Sequence, residues 1–397
     1  MLKSVLPAIF GIIFLEFLVM GISLGVLPAF VHNVLGYSNT VVGVVIGAQY
    51  IATLVTRHFA GKLADTHGGR KSARRGIVLS AVAGLFCLLA QGASSMQGLS
   101  LGLLLIGRLL LGVGESFLVI GIFAWGFHLV GQMHIGKVMV WNGMGMYGGM
   151  AAGAPLGISL QLHVGLSAAL TGMVILPLLN LVAIRMLPLV DMVRTETSLP
   201  FYKAIGRVWK SGTGLALATV GFGGIASFIS LYFQHRGFTN ASLALTTFGA
   251  AYIAVRLFFA HFPDKHGGEK VVIVSLVVEV IGQVLIGTAP SASIGIAGAC
   301  LTGAGLSLVF PSFGQMAVKH IAPAHRGMAV AAYSAFFDLS IALTAPLSGL
   351  IAGGSHYDRV YTFGAIAALA GIGLAVCDYL GNGTQTKRGR IEIQPPV

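Results

Sequence analysis

What most limits the fold of this chain is a succession of apolar blocks, each about as long as a bilayer is thick. A membrane-spanning helix needs about 20 predominantly apolar residues in a row, and the 397-residue sequence supplies such blocks repeatedly. The blocks are continuous rather than alternating, which speaks for helices and against the strands of a β-barrel. Only 9% of the residues are charged, against about 25% in a soluble domain. The expected fold class is an all-α membrane protein.

Twelve spans are expected, at 5–31, 40–60, 76–94, 98–127, 138–160, 165–187, 213–233, 241–260, 271–289, 293–318, 328–352 and 361–380. The first run is too long for a signal-peptide core of about 7–15 residues, so it is read as a retained span. The longest break separates six spans from six. It divides the chain into an N-terminal bundle (1–187), a linker on the membrane surface (188–212), a C-terminal bundle (213–380) and a tail (381–397). With the N-terminus inside, one side holds only Arg236 and Arg359. Arg108 lies within a span, and every other Lys and Arg falls on the cytoplasmic side. This asymmetry is the positive-inside signal. It accounts for the +12 net charge without a nucleic-acid partner.

A short polar segment, GKLADTHGGRKSARR at 61–75, carries the clearest repeat. Arg57 followed by D-x-H-G-G-x-K from Asp65 recurs as Arg256 followed by the same pattern from Asp264, at an offset of 199 residues. Further on, Ala154-Pro155-Leu156 recurs as Ala345-Pro346-Leu347, and Gly112-Val113-Gly114 as Gly303-Ala304-Gly305, both at an offset of 191. Duplicated segments half a chain apart predict two six-helix halves related by a parallel repeat.

Twelve spans in two halves with this loop resemble the major facilitator superfamily. Its loop pattern G-x-L-x-D-[RK]-x-G-R-[RK] is matched by Gly61, Leu63, Asp65, Gly68 and Arg70, while Thr66 and Gly69 depart from it. The fourth-helix pattern R-x-x-x-G-x-G is met by Arg108, Gly112 and Gly114. The fifth-helix antiporter pattern is approximated by Gly149, Gly153, Pro155 and Gly157, with Ala154 inserted before the proline. Within the superfamily the chain is most similar to the bacterial YhhS/YfcJ branch of exporters. The resemblance implies alternating access between two pseudo-symmetric bundles, a multi-pass location in the bacterial inner membrane with both termini cytoplasmic, and usually a monomer.

Ionisable groups inside spans cost about 2.5–3.5 kcal/mol each at the bilayer centre and therefore mark candidate function. Arg108 and Glu115 are seven residues apart, about 700° of helix, so they share a face. Neither has a counterpart in the second half, where Ala299 and Leu306 align. Glu16 sits mid-way along the first span and Asp338 in the eleventh, aligned by repeat with Tyr147. Glu16, Arg108, Glu115 and Asp338 are the proton-coupling candidates, and a structural polar network is the competing account. The resemblance adds weight to Glu16, because several proton-coupled exporters use an acid on the first helix. Glu279, in a stripe with Ser275 and Gln283, is expected to be a packing contact.

Gln49, Tyr50, Trp125, Trp141, Asn142, Tyr147, Tyr333 and Phe336 are aromatic and amide groups suited to lining a substrate cavity. Arg57, Gly61, Asp65, Gly68, Arg70, Arg256 and Asp264 are expected to form a cytoplasmic gate of charge networks and tight turns. Gly145, Gly149, Gly153 and Gly157 form one bare helix stripe that admits a second backbone. Cys87, Cys300 and Cys377 lie apart within apolar runs and are expected to be buried structural thiols. No metal ligand set and no Walker motif are found, so neither a metal, another cofactor nor an enzyme activity is expected. The expected activity is proton-coupled export of a small organic molecule, with protons and the lipid bilayer as its other partners. An importer or uniporter, and a membrane sensor or lipid-handling protein, are the competing classes.

Overall fold

A computed structural model of the chain describes residues 2–130, 135–185, 201–319, 321 and 326–391. The helices are α1 Leu2–Ala29, α2 Asn39–His67, α3 Gly69–Gly92, α4 Gln97–Val130, α5 Ile135–His163, α6 Leu166–Arg185, α7 Phe201–His235, α8 Ala241–Phe259, α9 Phe262–His266, α10 Gly268–Gly287, α11 Ala292–Val318, α12 Arg326–Ala352 and α13 Asp358–Ile391. A π-helical turn, Phe30–Val34, extends α1. Apart from the short α9, these are twelve long helices in two six-helix bundles, α1–α6 and α7–α8 with α10–α13. Among the described residues, eleven helices are long and apolar enough to cross a membrane. The twelfth, α5, falls short because its glycines, Trp141 and Asn142 dilute its hydropathy.

Two expectations about the polar segment change. Gly61–His67 is not a loop: α2 runs through it, and the reversal into α3 rests on Gly68 alone, at φ 93°. Gly267 makes the same reversal before α10 at φ 86°. Both glycines occupy the positive-φ region that a side chain would strain. Of the expected linker, 188–200 lies outside the described residues, and from Phe201 the chain is already helical in α7.

Helices in lipid gain no hydrophobic drive toward one another, so close packing depends on small residues at the contacts. The α3–α4 contact is built this way. A Cβ added at Gly114 would lie 2.8 Å from the Gly76 carbonyl oxygen. The second bundle repeats the arrangement between α10 and α11, where a Cβ on Gly305 would lie 2.6 Å from the Ser275 carbonyl. Gly114 and Gly305 are related by the 191-residue offset, Gly76 and Ser275 by the 199-residue offset. The duplication therefore reaches the level of individual contacts.

Glycines of the α5 stripe meet α1. A Cβ on Gly149 would sit 2.8 Å from Leu18 N, and one on Gly153 2.8 Å from Gly21 Cα. Gly145 and Gly157 face Ile13 and Ile22 of the same helix, and Pro155 lies within α5 between the last two glycines. Of the three cysteines expected to be buried only Cys87 is: Cys300 is partly exposed and Cys377 exposed. The apolar outer face of α13 is the surface that meets lipid, so an apolar neighbourhood in sequence does not imply burial in protein.

The two bundles touch mainly along two seams, α2 against α12 and α5 against α8, with a smaller contact of α1 on α7 between them. The α2–α12 seam is tightest on the face away from the basic helix ends. There Asn39 donates to the Gly353 carbonyl (2.8 Å) and accepts from the Tyr357 hydroxyl (3.1 Å). Gly43 packs on Ala345 and Pro346, where a Cβ would come within 2.7 Å of Pro346 Cα.

Candidate functional site

Between the seams lies a cavity of about 400 Å³. It runs from Met20, Tyr50 and Phe222 at mid-helix to Asp264, Gln315 and Val318 near the basic-face helix ends. Of the residues expected to line it, Tyr50, Asn142, Tyr147 and Tyr333 do so. The other four expected residues are used elsewhere. Gln49 bonds Glu115, Trp125 packs over Gly69, Trp141 stands edge-on to Phe10, and Phe336 covers Gly212 of α7. A helical position alone does not say which neighbour a ring faces. The pattern missed Thr53, Phe222, Tyr252 and Phe337, which also line the cavity. The aromatic ones among them lay in apolar runs, where nothing separates a cavity wall from a core.

Arg57 of α2 reaches across to α12, where its Nε donates to Asp338 Oδ2 in an ion pair between the two bundles. It is the single ion pair between described residues. Both side chains line the cavity, with Arg57 16% and Asp338 2% exposed. Glu115 lines the same wall. Its Oε2 accepts from Gln49 Nε2 (2.9 Å) and from Thr53 Oγ1 (3.3 Å). Three ionisable groups from α2, α4 and α12 thus share one cavity, whose low-dielectric wall strengthens each charge's effect on the others.

Arg108 and Glu16 lie behind that wall. Arg108 is fully buried and donates to the Val45 carbonyl (3.2 Å), to Ser23 Oγ (2.8 Å) and to the Ile46 carbonyl (3.4 Å). It ties α4 to α1 and α2, and no carboxylate among the described residues is within ion-pair reach of it. Glu16 accepts from Ser80 Oγ of α3, and its Oε2 has no hydrogen-bond partner among the described residues. Glu279 is fully buried, and neither of its oxygens has a hydrogen-bond partner among the described residues.

The expected gate residues do not gather into one network. Arg57 is taken by Asp338. Arg70 caps the end of α6, donating to the carbonyls of Ile184 (3.1 Å) and Arg185 (2.9 Å), which favours a cation at that helix terminus. The Asp65 side chain lies outside the described residues. Asp264 accepts from Gln315 Nε2 (2.7 Å), and Gly61 has open space around it. Arg256 is buried and lines the cavity rather than the surface. It donates from Nη2 to the Tyr252 hydroxyl (2.6 Å) and to the Ser307 carbonyl, and its Nε has no hydrogen-bond partner among the described residues.

The α5–α8 seam is aromatic. Tyr147 stacks on Tyr252 at 3.6 Å between centroids, and Arg256 sits over the Tyr252 ring at 5.1 Å. Phe222 and Phe248 stack beside them at 5.1 Å. Thr246 donates to the Ala151 carbonyl at 3.0 Å further along the seam. Among the described residues there is no group of three or more His, Cys, Asp or Glu placed to hold a metal.

The sequence matches a model of the Major Facilitator Superfamily over residues 9–241 and 213–392. An uncharacterized MFS-type transporter of Salmonella typhimurium is 41% identical over 358 residues, covering 90% of this chain and 92% of the relative. One of Burkholderia mallei is 41% identical over 368 residues, covering 92% and 90%. Among solved structures, the human organic anion transporter TETRAN superposes with a TM-score of 0.70 at 15% identity, covering 94% of this chain and 99% of that one. The nucleoside transporter NupG superposes with a TM-score of 0.66 at 14% identity, covering 94% and 98%.

Proposed function

The chain belongs to the major facilitator superfamily, as a membrane transporter of that type, and from that premise we propose that it is a proton-coupled antiporter exporting a small organic molecule. The basic face is cytoplasmic in this reading, the membrane is the bacterial inner membrane, and the working unit is a monomer. The cavity reaches the basic-face helix ends while the opposite face is sealed by Asn39, Tyr357 and Gly353. That describes a cytoplasm-facing state of an alternating-access cycle.

The observation that carries the proposal is the Arg57–Asp338 ion pair between the bundles, inside the cavity and beside Glu115. While Asp338 is ionised it holds Arg57 and keeps α2 against α12. A proton on Asp338 removes that attraction, and a substrate that draws Arg57 away does the same. An empty, deprotonated carrier stays locked, and a carrier holding either cargo can cross. That is the condition for obligatory exchange. Glu115 is the second acid, offering Arg57 an alternative carboxylate once Asp338 is neutral. Glu16 and Arg108 act behind the wall. Arg108 fixes α1, α2 and α4 to one another, and Glu16 with Ser80 is a relay position between α1 and α3.

The test is flux of a panel of small organic solutes in proteoliposomes under an imposed pH gradient. Wild-type protein should move at least one solute against its gradient, and Asp338→Asn and Glu115→Gln should each abolish gradient-driven accumulation. Undiminished gradient-driven flux in both variants would remove the proposed coupling. Wild-type flux indifferent to a proton-collapsing ionophore would favour a uniporter.

A further inference from the structure

The two seams are related by the internal repeat, but their charges are not. At the 199-residue offset Arg57 of α2 corresponds to Arg256 of α8. At the 191-residue offset Asp338 of α12 corresponds to Tyr147 of α5. The positions of the ion pair Arg57–Asp338 are therefore held in the other seam by Arg256 and Tyr147, where Arg256 sits over the Tyr252 ring on which Tyr147 stacks. One arginine is neutralised by its partner bundle. The other is offered an aromatic ring.

Arg256 is 7% exposed, lines the cavity, and has no carboxylate within ion-pair distance among the described residues. Asp264, the nearest acid in sequence on its own side of the chain, is engaged by Gln315 instead. The Nε donor of Arg256 is buried and has no hydrogen-bond partner among the described residues. A buried cation without a counter-ion is costly, and a guanidinium presents a fork of donors matched to a carboxylate. Around it the wall is aromatic: Tyr147 and Tyr252 stacked, with Phe222 and Phe337 at 6.2 Å from each other close by. Such rings accept a flat apolar body at van der Waals distance.

We infer that Arg256 and the Tyr147–Tyr252 stack form a binding subsite for an organic anion, whose carboxylate or like group occupies the place that Asp338 takes beside Arg57. The ligand thus supplies the charge that the repeat omits. This rests on the transporter reading above and names the substrate class for the same cavity.

The probes are 1-naphthoate, 1-naphthamide and 1-naphthylmethylammonium, which share a ring system and differ in charge. Binding to the purified full-length protein is measured by calorimetry in detergent. The carboxylate should bind at least about ten-fold more tightly than the amide, and the ammonium more weakly than either. Arg256→Gln should collapse the carboxylate-to-amide ratio to about one, while Arg256→Lys keeps part of it. Tyr147→Asp, which restores the missing carboxylate in the protein, should abolish the preference as well. If Tyr147→Asp does not fold, as judged by size-exclusion profile, the two Arg256 variants decide. Equal affinity for the three probes, preference for the ammonium, binding of none of them, or a carboxylate preference that survives Arg256→Gln each overturns the subsite. Because this assay involves no flux, its failure is separable from that of the transport reading. Gradient-driven transport without a carboxylate preference defeats the subsite alone, and a carboxylate preference without transport defeats the transport reading alone.

Discussion

Asp338→Asn is the most direct perturbation of the lock between the bundles. It preserves shape and removes the charge that Arg57 faces. Removing one partner of a buried pair costs about 3–5 kcal/mol, because the other charge is left uncompensated. Arg57 is 16% exposed toward the cavity and keeps some hydration, so the lower end, about 3 kcal/mol, applies. Arg57→Gln should cost a similar amount by stranding Asp338, which is 2% exposed. The double variant strands neither charge and should recover to within about 1 kcal/mol of wild type, since neutral replacements of buried pairs are often tolerated. The expected coupling energy is therefore several kcal/mol, far from additivity. Thermal unfolding in detergent, followed by tryptophan fluorescence, reads it: both single variants melt several degrees low and the double variant returns most of the loss. Single variants that melt like wild type, or a double variant as damaged as the sum of the singles, would show that the pair does not hold the bundles together.

Three further outcomes follow from the packing. Asn39→Ala removes the bonds to Gly353 and Tyr357 and should loosen the seal. A cysteine at Met20 in the cavity, in a background without native cysteines, should then react faster with an impermeant maleimide added from the opposite face. An unchanged rate would place the seal elsewhere. Arg108→Ala deletes three buried charge-assisted bonds, each worth about 1.5–3 kcal/mol, and should lower the melting temperature more than Asp338→Asn does. A stable Arg108→Ala protein would contradict its role as a tie between helices. Gly114→Val inserts a side chain where the Gly76 carbonyl and Ser80 already sit within 2.8 Å of a Cβ. Overpacking costs about 1–3 kcal/mol, so the yield of folded protein should fall, and it should fall likewise for Gly305→Val in the equivalent contact.

The boundary between what was legible in the sequence and what was not follows the range of the forces involved. The fold class and the arrangement of helices in two halves follow from the sequence alone. Each depends on the local match between about 20 apolar residues and a bilayer, and on a repeat that any arrangement of the chain preserves. Tyr50, Asn142, Tyr147 and Tyr333 could be named as cavity candidates, and Glu115 and Asp338 as ionisable groups of interest, because polar groups stand out against an apolar span; all six line the cavity. Their partners could not. Arg57 sits near Asp65 in sequence but bonds Asp338 across the molecule, and Arg256 sits near Asp264 but turns into the cavity. Those choices depend on how two bundles dock, and docking is set by backbone approaches such as Gly43 on Pro346 rather than by local spacing. The same holds for Trp141 and Phe336, whose rings meet Phe10 and Gly212 rather than lining the cavity, and for Cys377, which is exposed. The sequence determined which side chains a transporter could use, because composition and periodicity act residue by residue. Tertiary structure alone decided that Arg57 is paired across the bundles while Arg256 meets no carboxylate among the described residues, because a charge meets its partner only where separate helices come together.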